Sequence, residues 1–272
     1  MAIVISNATI VAVDAADRVL RHSDIRIDGD RIVAIGATGT VSEMGDATVD
    51  ATGTVVTPGL VNVHTHAATG LFRGLADDRP KSFWSPAFRV PGQERFTLDD
   101  YRASLAAVCG ESLLNGVTCI ADRLADMDKL APVIERSGLR AVVGQTISDN
   151  RGPADWATTE RVIEMFGVDP ARRVHAGIAP HALDSCSDAM LAECAARAGK
   201  VGCRVFLHVA QSEVEVAAVR ARGHAGALGC LEASGLVGPH VVAAHCIYLT
   251  SEEIDASRAS AKQVMDQFCS GQ

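Results

Sequence analysis

Leu60-Val61-Asn62-Val63-His64-Thr65-His66 decides how the chain is read. The run is apolar almost to its end, is entered through the Thr57-Pro58-Gly59 break, and closes on two histidines one residue apart. Side chains alternate faces along a strand, so both imidazoles project the same way and can meet one metal ion. Enzymes built on parallel barrels carry their chemistry at the carboxyl ends of strands, where this pair sits.

Downstream, the pattern repeats as strand and then helix. Thr97-Leu98-Asp99-Asp100 is an N-cap followed by first-turn acids, opening a helix through Leu114 that Asn115-Gly116 closes. Further strands are read at Val117–Ala121, Leu139–Gly144, Val174–Ile178, Cys203–His208 and Val241–His245, with helices between them, including Asp188–Ala198 behind a Ser187 cap. With the run at Leu60 this makes six strands. Such alternation predicts parallel βαβ units, either in an open doubly wound sheet or in a (β/α)8 barrel. Upstream, Ile3–Val13, Asp24–Ile27 and Arg31–Ile35 mix apolar with polar residues around the turn Asp28-Gly29-Asp30, and predict short antiparallel strands. A polar segment, Gly36 to Gly45, leads into Ala47–Val56, and the domain boundary is placed at the Pro-Gly, giving 1–57 and 58–272.

The other histidines are judged by position. His208 closes Arg204-Val205-Phe206-Leu207-His208 and His245 closes Val241-Val242-Ala243-Ala244-His245, each after an apolar run with no need of a polar group. His181 lies just past Val174–Ile178, on a loop facing the same mouth. His22, His224 and His240 stand in polar or turn contexts that surface solvation explains, and His175 begins a strand at the opposite end. Five imidazoles at one rim form a nitrogen donor set for zinc, iron or nickel with room left for a water, whose pKa then drops from about 15.7 toward roughly 7.

Composition excludes other classes. With 25 basic against 33 acidic residues the net charge is −8, which disfavours a nucleic-acid partner. No basic leader and no long apolar segment is present, so a cytoplasmic protein without a membrane partner is expected. The eight cysteines stand singly and contain no CxxC pair, which predicts buried thiols rather than disulfides. Neither a GxSxG elbow, a GxGxxG turn, a Walker loop nor the HxE signature of the other zinc deaminases occurs.

Pro58-Gly-Leu-Val-Asn-Val-His-Thr-His66, Arg73-Gly-Leu-Ala-Asp-Asp78, Ala179-Pro-His-Ala-Leu183, His208-Val-Ala and Ala244-His-Cys-Ile-Tyr-Leu-Thr250 follow one another in a familiar order. Over about residues 1 to 255 the chain resembles the amidohydrolase superfamily, in its cytosine-deaminase-like branch with the triazine chlorohydrolases. The resemblance implies a TIM-type (β/α)8 metallo-hydrolase barrel, here with about six βα units, beside a small N-terminal β-sandwich part. It implies one divalent metal, zinc before iron, on His64, His66, His208 and a strand-eight aspartate. It further implies His245 positioning the attacking water and His181 touching the ring. Arg73 and Trp84 are read as substrate contacts, Trp84 on the Asp77–Phe96 loop, whose aromatics Phe83, Trp84 and Phe88 either cover the pocket and select a flat ring or pack into the core. The reaction it implies is hydrolytic deamination or dechlorination of a small aminoheterocycle by a homodimer, with cyclic amides and imidazolones as a related substrate class.

Two departures from that pattern stand out. Three residues after His208, where these deaminases carry a proton-shuttling glutamate, stands Gln211, an amide that orients groups but cannot titrate. Glu213 and Glu215 nearby read as solvated residues opening the next helix. After Glu253 no further strand is legible, and Asp255 and Asp266 fall in a tail that departs from the family. Truncation or a frameshift is expected, with exposed sheet edges and, as the competing outcome, an inactive remnant.

Overall fold

A computed structural model describes residues 1–75, 78 and 95–257 of the chain. Two compact units are present, Met1–Leu60 and Val61–Gln272.

The first unit is one five-stranded sheet of β1 (Ile3–Val11), β2 (Val19–Asp28), β3 (Arg31–Ala37), β4 (Ala47–Asp50) and β5 (Val55–Val56), in the order β3-β2-β1-β4 with β5 also on β1. β1–β2 and β2–β3 are antiparallel, as the pattern predicts, but β4 and β5 run parallel to β1. The cause is the polar Gly36–Gly45 segment, which returns the chain to the start of β1, where the Ala47 amide donates to the Ala2 carbonyl at 2.9 Å. Ala47–Val56, read as one run, is split by a turn in which the Thr54 amide donates to Ala51 and Gly53 takes φ +76°. Ala8, Ile10, Ile25 and Ala51 form the core, and no second sheet layer is found among the described residues of this unit.

The second unit alternates as expected: β6 (Leu60–Thr65), a 3-10 turn (Ala67–Phe72), α1 (Leu98–Leu114), β7 (Val117–Leu124), α2 (Met127–Ser137), β8 (Arg140–Ile147), α3 (Gly152–Phe166), β9 (Val174–Pro180), α4 (Asp188–Val201), β10 (Arg204–Val209), α5 (Glu213–Ala221), α6 (Ala227–Ala233) and β11 (Val241–His245). The six strands lie in chain order, parallel throughout their recorded registers. The choice between open sheet and barrel is settled by the outermost strands. In a flat sheet β6 and β11 would stand roughly 24 Å apart at the usual strand spacing, yet the rings of His64 and His245 lie 5.1 Å apart. The sheet therefore curls into a nearly closed, partial TIM-type barrel.

Local sequence accounts for these elements. Thr97 and Asp100 form a reciprocal capping box that starts α1, and Gly116 at φ +78° ends it. Alternate strand residues such as Val143, Ile178 and Leu207 are buried in the clusters that include the helices, while residues of the other parity face inward. There Phe206 packs so tightly on two strands that only glycine fits beside it: a Cβ on Gly177 would stand 2.6 Å from its ring, and one on Gly144 would stand 2.8 Å away. β7 runs three residues past the expected Ala121 and carries Asp122 and Arg123, both buried.

Candidate metal centre at the strand ends

The curl gathers five histidines from four strand ends. His64 and His66 leave β6, His208 lies in β10, His245 ends β11, and His181 follows β9 directly because that strand extends to Pro180. His208 is the hub, with ring centroids 4.9 Å from His64, 5.3 Å from His66, 5.1 Å from His181 and 4.9 Å from His245.

Hydrogen bonds fix the rings. His66 Nδ1 lies 2.8 Å from the Arg123 carbonyl oxygen, to which it can only donate, so the lone pair of that ring sits on Nε2. His66 Nε2 is 3.2 Å from His208 Nε2. His181 Nδ1 meets Ser185 Oγ at 2.7 Å, its amide donates to the Ile147 carbonyl, and its carbonyl accepts the His208 amide at 3.1 Å.

Burial, followed by the neighbouring His66, Arg123 and His245, pushes His64 down to about 4. His208 is pushed well below the ordinary histidine range by burial, then by Arg123 and the surrounding imidazoles. Both are neutral at neutral pH and offer lone pairs. A ligand nitrogen from each of His64, His208 and His245 lies within 4.8 Å of the other two, and His66 Nε2 faces the same space. His208 Nδ1 is buried and has no hydrogen-bond partner. Neutral, converging imidazoles with a buried unsatisfied nitrogen are a donor set that fits a divalent transition metal.

The loop after β10 is fixed by a residue whose sequence reading needs correction. Glu213 is exposed as expected, but Glu215 is fully buried. Its carboxylate accepts from the amides of Gln211 at 2.9 Å, Ala210 at 3.1 Å and Leu183 at 3.4 Å. Gln211 thus has a fixed main chain, and its buried side-chain Nε2 has no hydrogen-bond partner. Ala210, His245 and Cys246 take φ of +47°, +75° and +55°, strained values for non-glycine residues that are tolerated where a rigid surround imposes them.

Other sequence expectations fare differently. Arg73 is engaged in an exposed two-pronged pair with Glu111 at 2.9 and 2.6 Å. Asp77, Phe83, Trp84, Phe88 and Asp266 lie outside the described residues. His224, read as solvated, is largely buried and pairs with Asp188 at 3.0 Å. His175 Nε2 donates to the Arg172 carbonyl oxygen, 3.0 Å away, and stays clear of the rim. Sequence reasoning missed Arg123, Asp122 and Glu215. The first two had a signal, a charged pair continuing the apolar run Ile120-Ala121.

A family model described as Amidohydrolase family matches residues 55–270. The chain belongs to the amidohydrolase family. The match runs past residue 255, so the tail read as departing from the family is part of it. Among curated relatives, this amidohydrolase is 34% identical over 267 residues to a 5'-deoxyadenosine deaminase of Methanosarcina mazei, covering 96% of the chain and 61% of the relative. It is also 34% identical over 259 residues to a 5-methylthioadenosine/S-adenosylhomocysteine deaminase of Desulforudis audaxviator, covering 93% and 59%. The chain thus spans about three-fifths of the length of these relatives. Among solved structures, an adenosine deaminase from Xanthomonas campestris with bound zinc superposes with TM-score 0.81 at 25% identity, over 95% of this chain and 60% of that one. A triazine hydrolase from Arthrobacter aurescens superposes with TM-score 0.84 at 22% identity, over 95% and 63%, and shows the shared fold.

Proposed function

We propose that this amidohydrolase binds one divalent metal, zinc first, through His64, His66 and His208, and hydrolyses an exocyclic substituent from an aminoheterocycle. The observation that carries the reading is the convergence of imidazoles from β6, β10 and β11 on one space. One trio, His64, His208 and His245, has its ligand atoms mutually within 4.8 Å, and His66 Nε2 stands 3.2 Å from His208 Nε2 beside it. His66 is preferred over His245 as the third ligand because its Nδ1 is committed to the Arg123 carbonyl, which aims Nε2 inward. A metal bound there supplies Lewis acidity that brings the pKa of water toward neutrality.

The chain's own side chains supply the rest. His245, the more exposed ring, is free of the ligand role and orients the attacking water. His181, held at Nδ1 by Ser185, presents its other face to the substrate ring. Gln211 orients a ring nitrogen with its amide but moves no proton. The names of the relatives favour an adenosine-type nucleoside as substrate, losing ammonia.

Gln211 favours a second reading in which the leaving group departs without needing a proton, as chloride does from a chlorinated triazine. The test is metal analysis of the purified chain, with ammonia release from 5'-deoxyadenosine and 5'-methylthioadenosine and chloride release from a chlorotriazine. About one equivalent of metal with ammonia release supports the first reading, and chloride alone supports the second. Metal-free protein without turnover overturns both in favour of an inactive remnant.

A further inference from the structure

Arg123 places a cation where one is costly to keep. Its side chain is wholly buried, and the neighbouring Asp122 carboxyl, on the other face of β7, accepts from the Ala67 amide instead. The guanidinium is met by main-chain carbonyls: Nη1 donates to Pro180 at 3.0 Å and Nη2 to His181 at 2.9 Å, while Nε has no partner. An apolar side chain of similar length would fill this volume without the desolvation penalty of a buried charge, so packing alone does not account for an arginine.

The partners show what the guanidinium holds. The His181 carbonyl that it binds also accepts the His208 amide, so one oxygen joins β7, the end of β9 and β10. The main-chain carbonyl of Arg123 receives the His66 ring. A single residue therefore touches two of the strand ends on which the imidazoles stand and reaches a third, β10, through the shared His181 carbonyl.

We propose that Arg123 is the positioning residue of the histidine centre: its guanidinium clamps the end of β9 to β7 and thereby sets His181 and His208, while its carbonyl sets His66. The inference rests on the metal-centre reading. Its sign is distinctive, because a buried cation near the rings repels a metal ion. Removing charge alone would tighten metal binding, so a loss of affinity on removal can come only from lost geometry.

The experiment titrates zinc and cobalt into the full chain, comparing wild type with Arg123→Met and Arg123→Lys by calorimetry and by the visible spectrum of bound cobalt. Arg123→Met is expected to weaken metal binding by about 10–100-fold, the usual effect of losing a group that orients ligands, and Arg123→Lys to weaken it less. Nitrogen-15 spectra of Arg123→Met should shift His208 and His181 while leaving the His66 tautomer unchanged, since its acceptor is main chain. Unchanged or tighter binding in a folded variant overturns the proposal. Should neither variant fold, the wild type decides: a clamped guanidinium gives separate, slowly exchanging Nη protons, and a single averaged signal overturns it. If wild type binds no metal, the metal-centre reading fails, which is a separate result.

Discussion

Gln211 and Glu215 are four residues apart and do opposite things. The glutamate is buried and spends its oxygens on three amides, whereas the glutamine ends in a buried amide nitrogen without a partner. If the reaction is deamination, Gln211→Glu restores a proton carrier and should raise ammonia release by about 10²–10⁴-fold, the usual worth of a general acid–base, while leaving chloride loss little changed. Steady-state rates on both substrates check this. Glu215→Gln removes a charged acceptor from the same loop and should cost about 2–3 kcal/mol, read from denaturant unfolding. At this scale the sequence was legible where a histidine ended an apolar run, because such a run leaves a polar group unexplained. It was illegible for Glu215, whose place at a helix start looks the same whether the side chain faces water or folds back over the preceding loop.

Among elements, β10 shows how one strand both floors and furnishes the site. Residues of one parity, Phe206 and His208, face inward, and the ring of the first occupies the space that Gly144 and Gly177 leave open. Gly177→Ala should destabilise the chain by about 1–3 kcal/mol through overpacking, with a non-additive recovery when combined with Phe206→Leu. Thermal unfolding of the single and double variants tests it. In the first unit Asp24 plays a comparable part for β1 to β3. Burial alone would raise its carboxyl, but the amides of Gly39 and Asn7 and the Ser6 hydroxyl overcome that and hold it below its ordinary value. A depressed carboxyl contributes stability above its unfolded pKa and loses it as pH falls through the folded one. The stability of the wild type should therefore fall in acid below its ordinary value of 3.8 more steeply than that of Asp24→Asn, as followed by hydrogen exchange of the β1–β3 amides. Element types were readable from periodicity, and the α1 cap was readable from Thr97 and Asp100. The parallel pairing of β4 with β1 was not, because strand direction depends on where a polar connection takes the chain.

Over the whole molecule, the described strands β6 and β11 each pair on one side only. Leu60, Val61 and Val63 are exposed on β6, and Ile247 and Tyr248 follow β11. Apolar residues on open edges favour association, so sedimentation of the purified chain should show concentration-dependent oligomers that shrink when Ile247 and Tyr248 are replaced by lysine. The barrel was recoverable from the order of motifs rather than from alternation of strands and helices, which fits an open sheet equally well. The nearness of His64 to His245, on the outermost strands of the sheet, separates the two most directly.

That nearness also has a kinetic side. His66 and His208 are 142 positions apart, so the ring-to-ring contact closes one of the longest loops in the chain, and contacts of such separation form late. If His64 and His66 are metal ligands as proposed, they emerge first during synthesis and are a two-pronged chelator for as long as the ribosome takes to deliver the distant partners. On that reading the identity of the bound ion depends partly on timing, and refolding in the presence of competing copper or nickel should trap species that the finished protein would refuse.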